Sequence, residues 1–507
     1  MAKLTKTEWN PDLAAPLVKS TMTMKDLLEL GDITFIEGAD NLITIVYSDR
    51  IYSDVAQDMI AIANQTIDTS FSFNYPISLP LGDSASESFV FTQEFTTNNG
   101  EIFDSIFIKK GSLHFETKGE MNHNGKLVIT IPQLTKGGLT FRETLEYKFT
   151  GNLPVIVIED FDLAGYKMKF SHIGTMNILK EYVDITAYAD GNANSSPYKF
   201  DVEKSLIGIE FQKVFGYLGQ YEHKFDKNTV SIGLFDGLTI GEQILEDPRI
   251  NLIFYNSIGT PLNIYFPFFK AINGTDSVIL SGPGLQSLNV DYPSIYNVGE
   301  TVISKITLDK SNSNVKDVFD ISPEKITYEV EGKSNPTGTV IQNFVLDTSN
   351  FYMDVEVEIP LFGRAWNFTM QDTNDFDFDN DIGDVDEIQY IEVALYAVNE
   401  LPAEGLIQVY FTDSNYVVID SLYKSKEQII KSAIPGPPPT YRVIQKTDNT
   451  TSVILDRPKM DKIKTAEKII TSIEFSTVNN GGTIVKFYSD YTVDLKIGVN
   501  VRLKTEF

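Results

Sequence analysis

Apolar side chains recur at every second residue along most of this chain, and that rhythm limits what it can fold into. In NFVLDTSNFYMDVEVEIPLFG, residues 343–363, Met353, Val355, Val357, Ile359 and Leu361 share one parity, while Asp354, Glu356 and Glu358 share the other. A period of two sends alternate side chains to opposite faces of a β-strand; a helix instead needs apolar residues three and four apart. The closing stretch YTVDLKIGVNVRLKTEF, residues 491–507, has the same character. At ~3.3 Å per residue it would span ~55 Å, against about six residues for an ordinary strand. Three readings accommodate it: an outer-membrane barrel, a curved sheet gripping a lipid, or a bent or bulged strand serving a sandwich, with its apolar side on a core. Shorter strands, irregular spacing and Pro-rich breaks elsewhere favour the sandwich. The expected fold is mainly β, with tandem β-sandwich-like domains and a few short helices, and 33 Phe and 24 Tyr suit it.

The chain divides in reading order into 1–69, a loop and helix region leading into a first sheet; 70–193 and 194–345, two β domains; 346–434, a sandwich-like domain; and 435–507, a linker, short helix and long strand packing back on an earlier sheet. Helices are expected from Asp26 to Leu30, after a cap at Ser20, Thr21 or Thr23, and from about Met460 to Ile470, with Asp456 near its start. Residues 53–64 offer a further helical turn. Residues 111–134 read as two strands about a turn at Asn122–Gly125, with Leu113, Phe115, Leu127, Ile129 and Ile131 inward. Residues 248–274 and 388–420 read the same way. A turn containing Asn and Gly precedes an alternating strand at 98–118, 256–268 and 479–503, which fits duplicated sheet domains or the ordinary grammar of β-proteins.

Chemistry-bearing motifs are scarce. No phosphate-binding loop, dinucleotide turn, nucleophile elbow or HExxH helix occurs. The chain has no cysteine, which excludes disulfides, thiolate metal sites and thiol nucleophiles. A net charge of −28 opposes nucleic acid as a partner. No apolar run is long enough for a transmembrane helix. The best candidate site is DTNDFDFDNDIGDVDE, residues 372–387. There Asp375, Asp377, Asp379, Asp381 and Asp386 fall at positions one, three, five, seven and twelve of a calcium loop, with Asn380 where glycine is usual and Phe376 and Phe378 adding bulk. The alternative is a hydrated loop. His114 and His123 flank the expected hairpin at 111–134, a weak metal signal if they meet. With 70 acidic residues, spacing alone nominates no hydrolytic pair.

The opening WNPDLAAPLVKSTMTMKDLLE, residues 9–29, resembles the mature start of a family of large surface lipoproteins of Bacteroidota. NSIGTPLNIYF (256–266), NELPAEGLIQVYFTDSNYVVIDSLY (399–423) and FYSDYTVDLKIGVNVRLK (487–504) are similar to its sheet domains. The resemblance implies an extracytoplasmic protein, attached to the outer membrane or displayed at the cell surface, whose signal peptide and lipid-bearing cysteine were removed ahead of residue 1. Without it, the sequence fits a cytoplasmic protein equally. The leading expectation for function is a non-enzymatic binding or structural protein presenting β-sheet loops to a protein or polysaccharide of the cell envelope. The alternatives are a secreted carbohydrate-active hydrolase using a carboxylate pair, and a lipid-binding carrier.

Overall fold

The computed structural model describes residues 8–9, 12–30, 34–55, 61–74, 80–193, 196–224, 227–232, 242–377, 388–503 and 505–506. Strands dominate it, as the period of two requires. In Asn350–Pro360, Phe351, Met353, Val355, Val357 and Ile359 are buried and the residues between them are half-buried. The fold is mainly β and sandwich-like, with three short helices among the described residues.

Strand pairing sorts the chain into three sandwiches. The inner one is formed by Gln65–Phe73, Ser84–Phe95, Ile102–Gly119, Gly125–Lys136, Leu139–Tyr147, Val155–Asp162, Met176–Tyr188 and Tyr198–Tyr217. Numbered first to eighth in that order, these strands pair sixth–third–eighth–first in one sheet and second–seventh–fourth–fifth in the other, all antiparallel. This two-sheet, eight-position order is a jelly roll. Lys167–Lys169 pairs with both the third and fourth strands and stitches the sheets together. Rings meet across the layers: Phe71 lies 4.3 Å from Phe89, Phe141 5.5 Å from Phe161, and Tyr147 5.6 Å from Phe200.

The middle sandwich repeats the order. Its first strand is Ile43–Val55, and its third, fourth, sixth, seventh and eighth are Arg249–Asn256, Leu262–Asn273, Val302–Leu308, Lys325–Ser334 and Asn350–Pro360. Glu222–Lys224 and Asn228–Ser231 share its second position; Asp276–Ile279 and Leu288–Val290 share its fifth. The outer sandwich does so again, with Asp12–Thr23 first, Phe368–Asp375 second, Ile388–Asn399 third, Ala403–Thr412 fourth, Thr447–Asp456 sixth, Lys468–Thr477 seventh and Thr492–Leu503 eighth. Val418–Ser421 and Glu427–Ile430 share its fifth position.

The three nest. The inner sandwich is inserted whole between the first and second strands of the middle one, and the middle one between the first and second strands of the outer one. Pairing of Ile43–Val55 with Asn350–Pro360, and of Asp12–Thr23 with Thr492–Leu503, crosses the serial limits at 69, 193, 345 and 434.

The long terminal strand is central, flanked by Asp12–Thr23 and Ile388–Asn399. The register shifts fall between Pro16 and Val18 and between Ile388 and Tyr390, in its partners. The described strands lie in several sheets rather than one closed barrel. The hairpin expected at 111–134 is corrected by its pairing, while the strand–turn–strand readings at 248–274 and 388–420 hold. The strands flanking 120–124, 257–261 and 400–402 are third and fourth strands, which belong to opposite sheets, so each turn is a corner between layers. Leu113, Phe115, Leu127 and Ile129 point inward as expected, and Ile131 is partly buried against the core. The Asn/Gly theme leads into a third, a fourth and an eighth strand, so it marks no repeat; the repeat lies in the strand order.

Helix Met24–Leu30 starts at Thr23, whose hydroxyl accepts from the Asp26 amide while the Asp26 carboxylate accepts from the Thr23 amide. The later helix is Arg457–Ile463, earlier and shorter than expected, because Asp456 caps it through the Lys459 amide and a strand begins at Lys468. Val315–Asp320 occupies the same sixth-to-seventh connection in the middle sandwich. At 53–64 the chain continues as strand to Val55 instead of turning helical, and 56–60 lie outside the described residues.

Candidate binding face

Asp375 ends the second strand of the outer sandwich, directly opposite Lys468, and the two form an ion pair at 2.8 Å. The Lys468 hydrogen bond, then its charge, hold the Asp375 carboxyl below its usual range. Phe376 turns inward and packs 5.4 Å from Phe411, which accounts for that aromatic among the acids. Asp377 is exposed. Asp379, Asp381 and Asp386 lie outside the described residues, and so does Phe378.

The histidines do not form a shared site. His114 Nδ1 meets Asp160 at 2.8 Å on a sheet face, and His123 Nδ1 meets Asp190 at 2.8 Å in a buried corner. The third-to-fourth connection separates them because it changes layer.

One carboxylate pair is brought together on the middle sandwich. Asn251, buried, donates through Nδ2 to Glu356 at 2.9 Å and to Glu358 at 2.7 Å. Lys305 lies 3.4 and 3.7 Å from the same two carboxylates, and Arg249 lies 3.6 Å from Glu358. Both acids are thus held by donors and cations along a charge ladder on the sheet face.

A different arrangement crosses the sixth–third–eighth–first sheet of the inner sandwich. Register sets three rows abreast. In the first, Ile156, Lys118, Asp201 and Ser70 lie side by side, and Ser70 donates to Asp201 at 2.6 Å. Lys199, then Ser70, hold the Asp201 carboxyl below its usual range. In the third row, Asp160 meets His114, and Thr66 meets Ser205 at 2.9 Å. The middle row is Ile158, Glu116, Glu203 and Asp68, with three carboxylates on neighbouring strands. Glu116 is met by Lys118 at 2.8 Å. Glu203 and Asp68 take no side-chain donor among the described residues. Like charges directly opposite on a sheet cost roughly 0.2–1 kcal/mol per pair. The row floors a groove of about 310 Å³, within the size range of small-ligand sites. Ile156 and Ile158, about half exposed at 53% and 52%, stand one strand beyond the groove's lining, opposite Lys118 and Glu116. Such a surface accepts hydrogen bonds from hydroxyl or amine donors and packs against hydrocarbon faces. The alternation at 113–118 marks Glu116 and Lys118 as outward; which acids lie opposite them depends on pairing with residues more than 40 positions away.

No family model and no curated protein matches the chain. Among solved structures, a presumed secreted protein from Parabacteroides distasonis aligns over 57% of this chain and 89% of its own, at 14% identity and a TM-score of 0.29. A structure of infectious bursal disease virus, Gt strain, aligns over 87% and 81%, at 9% identity and 0.14. PNGase F, a glycosylasparaginase from Flavobacterium meningosepticum, aligns over 59% and 96%, at 9% and 0.16. Likenesses this slight establish neither a shared fold nor a shared activity.

Proposed function

We propose that this chain is a non-enzymatic, extracytoplasmic binding protein of the cell envelope, and that the groove of its inner sandwich takes a polysaccharide. The row Glu116–Glu203–Asp68 carries this reading. A face shaped by stability alone would alternate charge, as the row of Lys118 and Asp201 beside it does. Three abutting acceptors, with exposed Ile156 and Ile158 on the next strand, instead match a hydroxylated polymer long enough to reach both, whose hydroxyls donate and whose ring faces are apolar. Envelope attachment is supported by the resemblance of residues 9–29 to surface lipoproteins.

Affinity electrophoresis through gels containing envelope polysaccharides tests the reading. The native protein should be retarded by at least one polymer, and the variant E203Q/D68N should run free of it. Unchanged mobility of the native protein across the panel, or equal retardation of the variant, would rule the groove out.

A further inference from the structure

Inside the same sandwich lies a second site, separate from the groove. Lys204, on the eighth strand, and Glu181, on the seventh, reach towards each other between the two sheets, with side chains only 5% and 3% exposed. Lys204 Nζ donates to Glu181 Oε2, and Gln93 Nε2 donates to the same oxygen at 3.1 Å. Nζ also sits 5.4 Å from the centre of the Phe91 ring. Glu181 Oε1 is buried and has no hydrogen-bond partner among the described residues. A buried carboxylate oxygen left unpaired is costly and rare in a native fold. Both charged side chains line a recess of about 540 Å³ counted with its open mouth, whose walls include Leu113, Leu134, Met168 and Leu206. About 30 Å³ of it is roomy enough for water-sized groups, which seats a hydroxyl or a water while a hydrocarbon body lies towards the mouth.

We propose that this recess is a binding site for a small neutral molecule carrying a hydroxyl on a compact apolar body. The ion pair is neutral as a whole, so a ligand bringing a net charge would leave an uncompensated buried ion. A hydroxyl suits both partners: it donates to Glu181 Oε1 and accepts a spare N–H from Lys204, whose ammonium has three. The hydrocarbon body rests on leucine and methionine, and methionine adapts readily to irregular shapes. Water fills the role when no ligand is present.

Ligand-observed saturation-transfer NMR at millimolar concentration tests this with 1-butanol, butyrate and butylammonium, three molecules of similar bulk and different charge. The full chain should bind butanol at least about tenfold more tightly than either ion, since each ion would bury an unpaired charge. The double variant E181L/K204M should lose that preference while keeping the native circular dichroism. Equal binding of all three ligands, or no transfer to butanol, overturns the proposal. The native series decides the matter even if the variant fails to fold.

Discussion

Asn256 and Asn399 end the third strands of two different sandwiches, and each turns its corner in the same way. Asn256 Oδ1 accepts from the Ile258 amide at 2.9 Å, and Asn399 Oδ1 accepts from the Leu401 amide at 2.8 Å. Their Nδ2 groups then reach the connection between fifth and sixth strands, at the Asp291 carbonyl (3.1 Å) and the Lys431 carbonyl (2.9 Å). Together with a short helix between the sixth and seventh strands of each, this shows that the middle and outer sandwiches share details beyond strand order.

Asn399 also donates to the Leu401 and Ala403 carbonyls. Replacing it with Ala strands several buried groups at once, so N399A should cost about 3 kcal/mol, and N256A, with fewer bonds, about 2. Urea unfolding of both variants gives the ranking; a smaller loss for N399A would refute it.

Gly259 and Phe344 form an isolated antiparallel bridge, with amide-to-carbonyl distances of 2.9 and 3.1 Å. Phe344 belongs to Asn343–Leu346, which pairs with the last strand of the inner sandwich, so this bridge joins inner to middle. A Cβ on Gly259 would stand 2.2 Å from the Phe344 ring. G259A should destabilise by about 1–3 kcal/mol, and F344L should recover part of it. A double-mutant cycle should show about 0.5 kcal/mol or more of coupling.

Burial alone would raise the Asp190 carboxyl. Hydrogen bonds from His123 and from the Asn192 and Asn124 amides outweigh it and hold the group below its usual value. A depressed carboxyl stabilises the fold above its unfolded pKa of about 3.9, and the contribution is lost as pH falls through the folded value. D190N should therefore be less stable than native protein at pH 7, and the gap should narrow below about pH 4. A pH-independent gap would show that ionisation is not involved.

Tyr221 shows the opposite sign. Burial, then its hydrogen bond to the buried Glu101 carboxylate, push the phenol well above its usual value. That stabilisation is complete below the unfolded pKa of about 10 and declines as pH rises towards the folded value. At pH 7, Y221F should lose about 1–3 kcal/mol with the charged hydrogen bond. Above pH 10 the native protein should lose stability faster than Y221F, as followed by thermal melts from pH 8 to 11.

In the groove, relieving charge should help the fold as it harms binding. E203Q should raise the unfolding free energy by roughly 0.2–1 kcal/mol, most at low salt. A loss of stability would mean that Glu203 already has a compensating partner.

For the acidic loop, calcium binding predicts a melting temperature that a chelator lowers in native protein and leaves unchanged in D381N. No shift in native protein would leave Asp375 as the surface partner of Lys468.

Local features were legible in the sequence. Alternation placed Met353, Val355 and Leu127 inward, and Thr23 and Asp456 announced their helices. Pairing was not legible. An alternating strand, a short polar turn and another alternating strand look the same whether the strands pair or the turn changes layer, so Leu113–Phe115 and Leu127–Ile129 read as one hairpin. The same blindness hid the groove, since nothing near Glu116 announces that Glu203 and Asp68 will stand beside it. Lys204 and Glu181 were lost among many surface charges, because parity puts them on the buried face and composition gives no sign that they find each other there. The aspartates of 375–386 show the limit from the other side: their spacing was plain, but that Asp375 meets Lys468 depends on pairing with a residue 93 positions away.

Nesting also sets a timetable for the ribosome. Residues 12–23 are made roughly 470 residues ahead of Thr492–Leu503, their one sheet neighbour among the described residues. At about 5–20 residues per second, that leaves the early segment waiting on the order of 25–100 s. The innermost jelly roll can close as soon as Tyr217 emerges, while the first strands of the other two sandwiches wait unpaired with their eighth. Until Thr492–Leu503 is made, residues 12–23 are an orphan strand, and a holding chaperone would find its natural client there.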